Sequence, residues 1–158
     1  MSSKDIRAVA ERAEPYAYTA LRIVAGAMMA FHGVQKVIGW YGGGFSPPLG
    51  SQIWVGGVIE LVGGLMIALG LLTRPIAFLI SGQMAVAYIQ FHWKLAFGQG
   101  LWLPAVNKGE LALLYSFVFL FITARGPGLA SLGALIRGAD DTAHDPHPHL
   151  GSPIRKAA

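Results

Sequence analysis

A single charged residue, Glu60, interrupts an apolar run over residues 53–72 that holds no other Asp, Glu, Lys or Arg. A helix needs about 20 predominantly apolar residues to cross a hydrocarbon core of roughly 30 Å, and this run has that length. At helical spacing Gly56, Glu60, Gly63, Ile67 and Gly70 fall on one stripe, so the carboxylate shares a face with glycines. Small residues let helix backbones approach closely inside a membrane, which predicts that this face packs against protein. An ionisable group at mid-span costs about 2.5 kcal/mol or more to insert, so Glu60 has two readings. It is either a functional group in a polar pocket, or a clamp that holds a neighbouring helix through one ion pair or hydrogen bond.

The composition places the whole chain in the same environment. With 54% hydrophobic and 13% charged residues, it has too few charges to coat a water-facing globule. The formal charge of +4 comes from basic residues scattered singly at the ends of apolar runs, a pattern that fits membrane topology and not nucleic acid. No cysteine is present, so the chain has no thiol chemistry of its own, and any thiol redox would need sulfur from another protein.

Four spans are predicted, at 16–38, 53–72, 75–93 and 109–124, giving an all-α, four-helix antiparallel transmembrane bundle over residues 16–125. Residues 1–15 read as a cytoplasmic amino-terminal tail that is retained, being polar and of mixed charge. Thr73, Arg74 and Pro75 make a sharp hairpin between the second and third spans. Trp40, Tyr41, Trp54, Trp93 and Trp102 lie in or beside the longer linkers, as an aromatic belt at one surface. Residues 126–138 read as a short amphipathic surface helix, and 139–158 as a polar, disordered tail. Lys4, Arg7, Arg12, Arg74, Arg125, Arg137, Arg155 and Lys156 fall on one side of this topology, against Lys36, Lys94 and Lys108 on the other. Both termini are therefore predicted to face the cytoplasm.

Counting from the span ends, His32 and Glu60 both lie roughly 10 Å deep at 1.5 Å per residue. His32 either bonds a neighbouring carbonyl or forms a proton-carrying pair with Glu60, since histidine titrates near neutrality. Gln35 lies beside the His32–Lys36 face, Gln90 in the outer half of span three, and Glu110 at the outer end of span four. Arg22 sits in the inner half of span one and either snorkels or pairs with a carboxylate across the bundle. Lys36, Lys94 and Lys108 read as interfacial anchors before ligands. His32 and His92 differ in depth and lack close ligand spacing, so no metal or haem site is expected.

The ordered set Arg22, His32-Gly33-Val34-Gln35-Lys36, Glu60-Leu61-Val62-Gly63-Gly64, Gly70 through Pro75, Gly109-Glu110-Leu111-Ala112-Leu113-Leu114-Tyr115 and Gly126-Pro127-Gly128 resembles the DoxX family of small four-helix membrane proteins. The resemblance covers about residues 18–136. It departs at Gly133, where the family often has an acidic residue. The resemblance implies a membrane subunit of an oxidoreductase system, one relative being associated with thiosulfate oxidation and quinone reduction. On that expectation Glu60 and His32 exchange protons at a quinone headgroup, Gln35 and Gln90 bond its carbonyl oxygens, Glu110 joins from the outer end and Arg22 tunes charge from the inner side. A soluble or membrane redox partner is expected beside the lipid bilayer, and the glycine stripe packs either within one bundle or between copies in a homo-oligomer. The alternatives are a non-catalytic membrane scaffold or assembly protein and, less favoured for four short spans, a small-molecule transporter.

Overall fold

The computed structural model describes residues 2–40 and 47–136. Tyr41, the end of the 126–138 segment and the 139–158 tail lie outside the described residues. Among the described residues the chain is helical, with no strand. Its helices are α1 (Ser3–Val37), α2 (Gln52–Leu69), α3 (Thr73–Ala87), which runs on as a π-helical turn (Tyr88–Trp93), a short α4 (Pro104–Asn107) and α5 (Glu110–Arg125). Two of them, α1 and α2, are long and apolar enough to cross a membrane.

α1 begins well before the predicted span. Ser2 caps it, with the Ser2 amide donating to Asp5 Oδ2 at 2.8 Å and the Ser2 hydroxyl accepting from the chain. Arg7 and Glu11 add a pair one turn apart at 2.9 Å. The segment 1–15 is thus helical from Ser3 onward, and Pro15 lies within the helix. At about 52 Å, α1 is longer than a hydrocarbon core is thick.

Glycines set how α1 meets α2. A methyl group at Gly26 would come within 2.7 Å of the Gly64 carbonyl oxygen, and one at Gly33 within 2.6 Å of that of Gly57. The backbones are in contact, and rising numbers on α1 meet falling numbers on α2, so the pair is antiparallel. Gly56 and Gly63 face the other way, towards Gln83 and towards Ile76 and Ile80 of α3. The doublets Gly56-Gly57 and Gly63-Gly64 therefore let α2 be approached from two sides, and Glu60 lies in the seam between them.

α3 and α5 form the second antiparallel pair. Ser81 Oγ donates to the Ser116 carbonyl at 2.8 Å. Arg74 Nη1 donates to the carbonyls of Thr123 and Ala124 at 3.2 and 2.9 Å, satisfying the open end of α5. The hairpin between the pairs closes with Gly70 in the left-handed region (φ 75°), and the Leu71 and Gly70 amides donate to Met66 and Ile67 carbonyls. Tyr18, Met29, Ile67, Ile80, Met84, Tyr115, Phe119 and Ile122 fill the common core. Outside, Val24, Met28, Val62, Leu65, Phe78, Leu79, Phe117 and Phe121 are exposed, an apolar coat suited to hydrocarbon and not to water.

After α5 the chain crosses the end of the bundle where α2 turns into α3. Ser131 is buried and donates to the Gly70 carbonyl at 2.9 Å. One helical turn follows at 132–136, with Leu129, Leu132, Leu135 and Ile136 exposed.

Candidate functional site

Glu60 is 1% exposed and fully partnered. Lys36 Nζ donates to both of its oxygens, at 2.5 and 2.7 Å, and Gln83 Nε2 donates to Oε1 at 2.9 Å. The second amide hydrogen of Gln83 goes to the Gly56 carbonyl at 3.0 Å. Three helices therefore meet at one carboxylate. The contact of Gly33 with Gly57 fixes the register that brings the Lys36 stem over α2, with Lys36 Cβ against Gly57. Gly56, lacking a side chain, leaves room for the Gln83 amide.

This polar group lies in the wall of a cavity of about 560 Å³, within the range of small-molecule sites. Met29, His32 and Lys36 of α1 and Gln52 of α2 contribute to the wall, together with Met84 of α3. The π-helical turn adds Phe91 and His92, and Leu111, Ala112 and Tyr115 of α5 complete an apolar side. A π-helical turn adds a residue to the helical repeat, which turns Phe91 and His92 relative to the α3 face below them. His92 Nδ1 lies 3.3 Å from the Asn107 carbonyl, which ties the turn to α4.

The sequence-derived residues divide around this cavity. Glu60 and His32 both line it, but Lys36 and not His32 holds the carboxylate. The His32 ring instead meets the Tyr115 ring edge-on, at 6.1 Å between centroids. Lys36, read as an anchor, is thus the ionic partner of Glu60. Gln90 lies beside the cavity and outside its wall, exposed, accepting from Gln52 Nε2 at 2.7 Å. Gln35 is half-buried on α1 and is not part of the wall. Glu110 is exposed in the first turn of α5, where a carboxylate complements the helix dipole, and it also lies outside the cavity.

Arg22 is wholly buried and remote from the site. Its Nη1 donates to the Ile67 carbonyl at 3.1 Å, and Nη2 to those of Leu129 and Ala130 at 3.2 and 2.9 Å. The carboxylate partner considered for it is replaced by carbonyls at the end of α2 and in the segment after α5. Gln83, Tyr115, His92 and Met29 are cavity residues that the sequence did not single out for binding. Gln83 carried a signal, as an amide on one helical stripe with Gln90 in span three.

A cavity with a buried ion pair in its wall, inside a small helical protein with an apolar exterior, defines the class: a membrane protein with an internal polar site. A family model for DoxX matches residues 17–93, which include Lys36, Glu60, Gln83 and His92. An uncharacterized protein of Haemophilus influenzae is 40% identical over 126 residues, covering 77% of this chain and 92% of that protein. The chain belongs to the DoxX family. No solved structure matches it.

Proposed function

We propose that this chain is a four-span subunit of an oxidoreductase system in the cytoplasmic membrane, with both termini in the cytoplasm, and that its cavity receives a quinone headgroup. The observation that carries this reading is the buried Glu60 carboxylate, held by the half-buried Lys36 and Gln83 in the wall of a largely apolar cavity. Helical structure is continuous over 73–93, and the exposed faces of α3 and α5 are apolar, which supports two further spans beside α1 and α2. The bias of Lys and Arg supports the orientation.

The donor set fits a quinone. Lys36 Nζ has three hydrogens, and two are directed at Glu60. The third, and the Tyr115 hydroxyl, are donors suited to carbonyl oxygens. Met29, Met84, Phe91 and Leu111 supply the flat apolar walls that an aromatic ring needs. When bound, a quinone supplies two-electron, two-proton acceptor chemistry, with the electrons coming from a redox partner. The contribution of this chain is to orient the ring, exclude water and present Lys36 Nζ beside the Glu60 carboxylate, with the His32 ring on the same wall.

Protein purified in mild detergent is expected to retain endogenous quinone on solvent extraction, and Glu60→Gln to lower the retained amount at least several-fold. Protein that is repeatedly empty, with a Glu60→Gln variant that supports normal quinone-linked respiration, would remove the proposal.

A further inference from the structure

The hydrogen bonds on the cavity wall do not balance, and the imbalance selects among ligands. Both amide hydrogens of Gln83 are committed to acceptors, Glu60 Oε1 and the Gly56 carbonyl. That fixes the amide orientation, because a flip would set its oxygen against two other oxygens. Gln83 Oε1 is buried and receives no donor. Tyr115, 7% exposed, holds a buried hydroxyl that is also unbonded, while its ring is fixed by Phe119, stacked at 5.8 Å, and by His32. Each such group left unsatisfied costs about 1–3 kcal/mol, so a ligand that completes both is strongly favoured over one that completes one.

The two needs differ in sign. Gln83 Oε1 requires a donor, whereas the Tyr115 hydroxyl can donate or accept. A ligand whose polar atoms are all carbonyl oxygens can accept from Tyr115 but leaves Gln83 Oε1 bare. An aromatic hydroxyl can accept from Tyr115 and donate to Gln83. We infer that the cavity prefers the hydroxyl-bearing, reduced form of its ligand, a quinol, over the oxidised quinone, with Gln83 Oε1 reading the difference and Tyr115 placing the ligand oxygen. This rests on the headgroup reading above and adds a redox preference to it.

The test uses the full chain in lipid nanodiscs under anaerobic conditions, with a decyl-chain benzoquinone and its reduced quinol as probes, titrated separately by calorimetry. The quinol is expected to bind about tenfold or more tightly than the quinone, because one further buried acceptor is satisfied. A tenfold ratio corresponds to a rise of about 30 mV in the two-electron potential of the bound couple, which redox titration reads independently. Tyr115→Phe is expected to weaken quinol binding about five- to tenfold while leaving the thermal midpoint unchanged or higher, since the lost hydroxyl has no bond in the free protein. Equal affinity for the two probes or tighter binding of the quinone would overturn the preference, and a Tyr115→Phe variant with undiminished quinol affinity would overturn the placement by Tyr115, each leaving the headgroup reading standing. Binding of neither probe would overturn both.

Discussion

Lys36→Met is expected to destabilise the protein by about 3–5 kcal/mol, the range for breaking a buried ion pair from one side. Methionine replaces most of the lysine stem, so packing over Gly57 is largely kept and the loss is electrostatic. What remains is a carboxylate, 1% exposed, with the Gln83 amide as its side-chain donor. In a domain of this size such a loss lowers the thermal midpoint by roughly 6–20 °C. The double variant Lys36→Met with Glu60→Gln is expected to recover most of it, because a neutral amide needs no counter-charge and can still accept from Gln83. A coupling energy above about 1 kcal/mol in the double-mutant cycle is the quantitative signature. Thermal unfolding in detergent, followed by intrinsic fluorescence, measures all three. A single variant within about 0.5 kcal/mol of the wild type would show that the pair does not hold the bundle.

Arg22→Lys is expected to be the second large effect, although it preserves charge. The planar guanidinium reaches three carbonyls on two separate segments, a fork that an ammonium on a shorter stem cannot reproduce. These bonds join the end of α2 to the segment after α5, where Ser131 Oγ and the Gly133 amide also donate to the Gly70 carbonyl. Hydrogen bonds to a charged group are worth about 1.5–3 kcal/mol each, and losing the two from Nη2 should free the 126–136 segment before it unfolds the bundle. Amide hydrogen exchange over 129–136 then accelerates at least about tenfold, since each 1.4 kcal/mol of local opening is a factor of ten. The Tyr18 hydroxyl, which donates to the Gly126 carbonyl, and Arg125, paired with Glu14 at 2.6 Å, still hold the start of the segment. Mass spectrometry of a hydrogen-exchange time course reads the rate, and an unchanged rate would mean that Arg22 does not secure this segment.

These two residues also show where sequence reasoning stopped. A lone carboxylate in a long apolar run announces itself, so Glu60 and its inward direction were legible from hydropathy and glycine spacing. Its partner was not. Lysine near a span end is usually an anchor, and only the close contact of Gly33 with Gly57 turns the Lys36 stem across α2. The glycines of α2 read as one stripe because Gly56, Gly63 and Gly70 share a spacing, while Gly57 and Gly64 serve the opposite neighbour, a division that appears only when two helices are in place. Arg22 carried a visible charge, but its partners are main-chain atoms, two of them more than a hundred residues away, which no side-chain pattern encodes. Tyr115 sits in the apolar run of α5 and looks like core. Its significance lies in a hydroxyl without a partner, a three-dimensional fact. The π-helical turn that carries His92 likewise has no periodic signature in so short a segment. The helical start of α1 reads as a tail, although Ser2 and Asp5 stand at capping distance.

The most direct measurement of the central claim is photoaffinity labelling of the protein in nanodiscs with an azido-quinone, followed by peptide mapping. Adducts on cavity-wall residues such as Met29, Phe91, Leu111 and Tyr115, suppressed by excess unlabelled quinol and diminished in Glu60→Gln, are expected. Adducts confined to the lipid-facing positions Val24, Leu65, Phe78 and Phe117, insensitive to competitor and to Glu60→Gln, would contradict a quinone site beside the Lys36–Glu60 pair.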